Sequence, residues 1–174
     1  YSFKNSFQKW SLNYDGLLTG VNFNTVQGWK LTTGLSYTKN DRENGKYTQF
    51  GVDFDYGFSE AQFRSTGIFI HKFNNTNKSE IQVSGGSRVA QFNEEKPIKE
   101  LLNSVTTLFF KENLMKIYEN NFISLLYQRE ITNGIFLKAK VDYLENKPLS
   151  NTTDQTFFPK DKDYTSNNPW APKD

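Results

Sequence analysis

The stretch YTQFGVDFDYGF, residues 47–58, alternates without a fault. Thr48, Phe50, Val52, Phe54, Tyr56 and Phe58 take one parity. Tyr47, Gln49, Gly51, Asp53, Asp55 and Gly57 take the other. Successive strand side chains point to opposite faces, so this pattern specifies a strand with one apolar and one polar face. Such a strand must meet an apolar phase on one side only, and that phase is either a protein core or a lipid bilayer.

The alternation recurs. Trp29, Leu31, Thr33, Leu35 and Tyr37 oppose Lys30, Thr32, Gly34, Ser36 and Thr38. Ile81, Val83 and Val89 oppose Glu80, Gln82, Ser84 and Arg88. Ile123, Leu125, Tyr127 and Ile131 oppose Ser124, Gln128 and Glu130. Leu137, Ala139, Val141 and Tyr143 oppose Lys138, Lys140 and Asp142. In FRSTGIFIHKF the consecutive Ile68, Phe69 and Ile70 break the period, which predicts a bulge or a doubly buried stretch. Residues 7–14 and 17–23 add two further candidate strands.

Polar connections at 40–46 and 74–78 separate these runs, and Asn133-Gly134 is a strong hairpin signal. Strand, short turn, strand describes an antiparallel meander. Strands of about ten residues match the ~9–11 that cross a bilayer at a tilt, whereas soluble sheets favour about five or six.

Composition carries a tension that this reading resolves. Mean hydropathy is −0.71, yet 16% of the residues are aromatic and 16 residues are Phe. A membrane barrel accommodates both, because only alternate strand residues face lipid while loops and lumen are polar. No run approaches the roughly 18 apolar residues of a transmembrane helix. The first residues, YSFKNSF, lack the charged and apolar regions of a signal peptide, which fits a mature form or a fragment. A net charge of +2 without a basic cluster gives no support to nucleic-acid binding. With no cysteine, disulfides and thiolate chemistry are excluded within these 174 residues.

One segment has a different period. Ile98, Leu101, Leu102, Val105, Leu108 and Phe109 fall at helical spacing behind Pro97, with Asn93 or Lys96 ahead of it. This predicts an amphipathic helix over 97–111, extending as far as 118, within an insertion at 93–120. Packing on the rest of the protein is its simpler role, and lying on a membrane surface is the other. Residues 147–174 read as a long loop, with Pro148, Pro159, Pro169 and Pro172.

Chemistry finds little purchase. The single histidine, His71, has no nucleophile-elbow motif beside it. Asp161, Asp163, Thr165 and Asn167 alternate as in a calcium loop, but Ser166 replaces the glycine and Pro172 the bidentate Glu. Asn74, Asn77 and Asn151 head N-x-S/T triplets. No cofactor or metal pattern emerges. Asp53, Asp55, Arg88, Glu130, Lys138, Lys140 and Asp142 are best read as a mixed-sign ladder lining a barrel lumen, where charges keep water or each other.

Around NFNTVQGWKLTTGLSY (22–37) the chain resembles an outer-membrane family of Gram-negative bacteria. Its members join an N-terminal carboxypeptidase-regulatory-like domain to a β-barrel domain of unknown function. The likeness continues through SGGSRVAQFN (84–93), LFFKENLMKIYE (108–119) and KPLSNTTD (147–154). Gln27 departs from the N-T-V-E-G form of the motif. The resemblance implies an outer-membrane location, a barrel of which residues 1–174 are an internal part, and no enzymatic activity. It also implies barrels similar in fold to outer-membrane insertases and translocases.

The resulting expectation is an all-β, antiparallel up-and-down transmembrane barrel or partial barrel. Leu35, Phe50, Val52, Phe54, Tyr56 and Val141 face lipid, with Tyr and Trp near the interfaces. Strands near 28–38, 47–57, 62–73, 79–91, 121–132 and 135–146 put the short connections at one end. The helix and the 147–174 loop then share the other end, which is extracellular by the usual loop asymmetry. The function expected is a non-enzymatic subunit or scaffold in envelope biogenesis or transport, whose partners are outer-membrane lipid and other envelope proteins. A soluble β-barrel binding an apolar ligand is the alternative, and a membrane-embedded hydrolase built on His71 is a third.

Overall fold

Alternating segments become strands. The computed structural model describes residues 1–41, 43–74, 76–93 and 95–169. Its elements are β1 (Ser2–Asn5), β2 (Trp10–Tyr14), a 3-10 turn (Leu18–Gly20), β3 (Val21–Asn24), β4 (Gly28–Asp41), β5 (Lys46–Gly57), β6 (Gln62–Lys72), β7 (Glu80–Gln91), α1 (Glu100–Phe110), β8 (Ile117–Thr132) and β9 (Ile135–Pro148). All nine strands join one antiparallel sheet in the order β1-β2-β4-β5-β6-β7-β8-β9. β3 pairs with β4 beside β2, covering Gly28–Leu31 while β2 covers Leu35–Lys39.

The sheet is open, with β1 and β9 at its edges. The described residues therefore do not make the closed barrel of the sequence reading. Closure needs edges that match in length and stagger, and here a strand of 4 residues would have to meet one of 14. The N-terminal region also divides more finely than two strands. Asn5 accepts the Gln8 amide at 2.9 Å and Lys9 takes a φ of 58°, which turns β1 back onto β2.

Register sorts the side chains. One row runs across six strands through Tyr37, Phe50, Phe69, Val83, Leu125 and Val141. The next row on that face holds Leu35, Val52, Gly67, Gly85, Ile123 and Tyr143. The opposite face carries Ser36, Gly51, Ile68, Ser84, Ser124 and Asp142. No bulge interrupts β6, so Ile68 and Ile70 lie on this more polar face. There the Ile68 Cγ2 fills the space over Gly51, 2.9 Å from where a Cβ would stand. The irregularity falls instead between Glu130 and Thr132, just before the Asn133-Gly134 turn.

The helix is shorter than 97–111. Its N-cap is Lys99, which gives no side-chain cap, and Pro97 lies outside the first turn. It stops where Lys111 adopts the left-handed region at φ 56°, with Glu112 bonding back to Thr106. Residues 112–116 are irregular, and β8 starts at Ile117 rather than 121. Buried apolar residues collect at this end of the sheet: Val26, Met115 and Ile117, with Val89, Ile98 and Leu149 against them.

The β6–β7 ladder ends at Thr66–Gly86, beyond which β7 pairs with β8 alone. Gly86 has a φ of 135°, and a Cβ there would stand 2.1 Å from the Ser65 carbonyl oxygen. Gly67, one strand away, has nothing nearer than 3.9 Å. Gly86→Ala is expected to cost about 1–3 kcal/mol through backbone strain. Gly67→Ala is expected to stay within about 0.5 kcal/mol of the parent. Urea unfolding midpoints of the two variants check this.

Candidate functional site: a buried polar junction

The NTVQG turn that links β3 to β4 is the most deeply buried segment of the described chain. Asn24, Thr25, Val26 and Gln27 are each at most 1% exposed. Asn24 Oδ1 accepts the Val26 and Gln27 backbone amides at 3.0 and 2.7 Å, and the side-chain NH2 donates to Gln27 Oε1 at 3.0 Å. Gly28 completes the turn with a φ of 65°. The turn's own polar groups are thus satisfied locally, which leaves Thr25 free to bind other segments.

Thr25 gathers two of them. Its hydroxyl accepts from Asn113 Nδ2 and donates to Asn151 Oδ1, both at 2.7 Å. Its carbonyl accepts the amides of Thr152 and Thr153 at 2.9 and 3.2 Å, and the Thr152 hydroxyl donates to the Val26 carbonyl. Beyond this, Asn103 accepts the Leu114 and Met115 amides, and Asn167 bonds both Ile117 and Leu149 backbones. Helix and long loop pack directly: the Tyr164 hydroxyl donates to the Thr107 carbonyl at 2.8 Å, and Phe109 meets the rings of Phe157 and Phe158.

Charges sit beside the turn. Gln27 Nε2 donates to Asp55, whose other oxygen lies 3.7 Å from Lys30 Nζ. Lys30 also pairs with Glu100 at 2.6 Å, and Asn22 donates to the same carboxylate. Arg64, 3% exposed, bonds Glu60 and Glu119. A buried guanidinium loses its hydration, and two carboxylates restore what burial removes. A cavity of about 330 Å³ opens between Gln27, Lys30, Gln91, Glu100, Met115 and Ile117. The ionic side chains around the turn are committed to one another, so the arrangement suits a clasp better than a catalytic centre.

The predicted ladder residues separate. Asp53 and Asp55 lie on one face of β5, and Lys138, Lys140 and Asp142 continue that face on β9. Lys140 pairs with Asp142 at 2.9 Å. Glu130 is used at the hairpin end, where it accepts the Gly134 amide and pairs with Lys78. Arg88 stands apart beyond Gly86, bonded to Asn120 and stacked over Phe122. His71 lies on the apolar face, bonded to Thr48 and flanked by Phe69 and Phe73.

The 161–167 stretch, which has the alternation but not the glycine and glutamate of a calcium loop, is bonded to the junction. Asn167 is spent on Ile117 and Leu149, and the Thr165 oxygens accept from Lys116. Burial with only these neutral partners lowers the Lys116 pKa. Pro172 lies outside the described residues. Among the described residues no cluster of three or more metal-ligating side chains forms. Asn74 and Asn77 build the β6–β7 turn, and Asn151 belongs to the clasp.

Lys30, Glu60, Arg64, Glu100 and Glu119 were not singled out from the sequence. Arg64 four residues after Glu60, the spacing of an ion pair, was the available signal.

This geometry defines an all-β domain: a wide antiparallel sheet whose one end is stoppered by a helix and a loop. Over residues 1–174 the chain matches the C-terminal domain of a family of unknown function (DUF5686), and it belongs to that family. No match was found among the curated proteins or the solved structures.

Asn24→Ala would strand two buried amides, each worth about 1–3 kcal/mol. The expected outcome is a loss of about 2–4 kcal/mol in urea unfolding, with faster protease nicking within 149–169 as Thr25 loses its geometry.

Proposed function

We propose that the domain is a section of outer-membrane β-barrel wall, serving as a non-enzymatic subunit or scaffold in envelope biogenesis or transport. One observation carries this reading: the apolar face of the sheet lies open while charges of the other face are buried at the junction end. Phe50, Phe54, Leu35, Leu125 and Val141 are exposed on one face, 37–69% each, while Lys30 and Arg64 are 5% and 3% exposed. A soluble sheet covers its apolar face with a second layer. Among the described residues no layer covers it, and strands of 11–16 residues from β4 to β9 are long enough to span hydrocarbon at a tilt. Strands cross membranes without any long apolar helix, and no helix among the described residues is long and apolar enough to span one.

In this reading Leu35, Phe50, Val52, Phe54, Tyr56 and Val141 face lipid. Asp53, Asp55, Lys138, Lys140 and Asp142 face the lumen, and further strands complete the wall beyond β1 and β9. The soluble apolar-ligand barrel is less well supported, because it would turn the same aromatic rows inward. A hydrolase has only His71, which is held among rings on the apolar face.

Phe54→Arg is expected to cost about 2–4 kcal/mol near the bilayer midplane. Asp53→Arg, on the other face, is expected to cost far less. Refolding stabilities in detergent or lipid test the pair, and equal tolerance would overturn the facing.

Sidedness follows from the connections. The helix, the 149–169 loop and the β5–β6 turn occupy one end, and the turns after β4, β6 and β8 the other. The longer connections then lie outside the cell. Single cysteines at Lys99 and Gln155 are expected to react with an impermeant maleimide on intact cells, and one at Asn133 to stay silent. The reverse pattern would invert the orientation.

A further inference from the structure

The helix α1 is built inside out. Its buried residues are Asn103, Ser104, Thr107 and Leu108, three of them polar. Its exposed residues are Leu101, Leu102, Val105, Phe109 and Phe110, between 41% and 71% exposed. An amphipathic helix on a water-facing surface shows the opposite order. The sequence reading that it packs on the protein holds only for its polar side.

Its position gives the reversed order a meaning. The Ser104 hydroxyl accepts the Phe23 amide at 2.8 Å, and its single proton is shared between the Glu100 carbonyl of its own helix at 2.8 Å and the Phe23 carbonyl at 3.1 Å. It thereby caps the edge of β3 that β4 leaves unpaired, where a further strand would otherwise pair. Glu100 lies about 40° to one side of Ser104 on the helical wheel. It bonds Lys30 and Asn22, on the sheet's polar face. Leu101 and Val105 lie about 60–100° to the other side. That is the side of Phe23 and Trp29, whose rings meet edge to face and which share the apolar face with Leu31. The exposed ridge of α1 thus continues the apolar face of the sheet. Phe109 extends it to Phe157 and Phe158, and Lys160 sits over the Phe110 ring at its margin.

We infer that α1 is a membrane-surface helix set into the wall, with Leu101, Leu102, Val105 and Phe109 lodged at the boundary between headgroups and acyl chains. This rests on the lipid-facing reading of the sheet. The occupant of the ridge is lipid because the ridge adjoins the same apolar face, and aromatic rings beside lysine suit that depth. The polar inner face is then no anomaly: it meets the junction, as Asp55 and Arg64 do on the strands.

The test uses the absence of cysteine from residues 1–174. Single cysteines replace Val105, Leu102, Phe54 or Asp53 in the full-length protein. Each variant is labelled with bimane and reconstituted in phosphatidylethanolamine–phosphatidylglycerol vesicles with dibrominated acyl chains. Expected is about twofold or greater lipid quenching at positions 54, 102 and 105, and little at 53, as an apolar ridge some 5–10 Å deep requires. Quenching at 54 with 102 and 105 open to aqueous iodide would overturn the helix inference and leave the sheet reading standing. Positions 102 and 105 shielded from both quenchers would also overturn it, placing protein on the ridge. Equal behaviour at 53 and 54 would remove the sheet reading and the helix inference together.

Discussion

In a continuous antiparallel ladder the side chain of each residue shares a face with its cross-strand partner, so the facing of one strand dictates that of its neighbours. Phe50 is tied in this way to Tyr37 and Phe69, and through them to Val83, Leu125 and Val141. A slip of one residue would exchange the whole apolar set for Asp53, Asp55 and Gln49. Each large apolar side chain moved out of water contributes about 1.5–3 kcal/mol, so the apolar rows act together and hold the register wherever one face meets an apolar phase.

What such a sheet lacks is an end. Strand termini expose backbone groups and open onto whatever fills the interior, and here the closure is polar. Asn24 folds the NTVQG turn on itself, and Thr25 then receives Asn113 from the helical insertion and Asn151–Thr153 from the last loop. The stretches whose wording resembled a known family converge at this point. Residues 24–28 form the turn, Gly86 frees β7 from β6, 108–117 supply Leu108, Asn113, Met115 and Ile117, and 149–154 supply the clasping loop. Spread over the chain, they belong to one small volume.

The strands were legible because a period of two needs no tertiary information. Their limits were less so: β8 begins at Ile117 because Asn103 holds Met115 from 12 residues upstream and Asn167 holds Ile117 from 50 residues downstream. The helix's presence was legible from its spacing, but not its direction of facing. Apolar periodicity locates a stripe and is silent on whether core or lipid lies opposite. Arg88 joined the ladder by parity alone; in the fold it lies beyond the end of the β6 pairing at Gly86, where it lines the junction cavity and bonds Asn120. Gln27 looked like a departure from a carboxylate. In the fold it supplies an NH2 donor to Asp55, which a carboxylate in its place could not do.

Strand and helix obey the same rule once the phase around them is fixed. In water, a chain that buries Lys30, Arg64, Asn103 and Thr107 while exposing Phe54, Val105 and Val141 would forgo hydrophobic stabilisation and pay desolvation as well. With hydrocarbon outside, both terms change sign. The exposed residues then rest in their preferred medium, and the inward charges need only one another, as Lys30 finds Glu100 and Asp55, and Arg64 finds Glu60 and Glu119. The edge of β3 makes the same point in backbone terms. Unpaired amides and carbonyls are intolerable at a lipid boundary, so the wall must continue or be capped. Ser104 caps it by accepting the Phe23 amide and sharing its proton between the Phe23 and Glu100 carbonyls, and this lets a helix stand in the place of a strand.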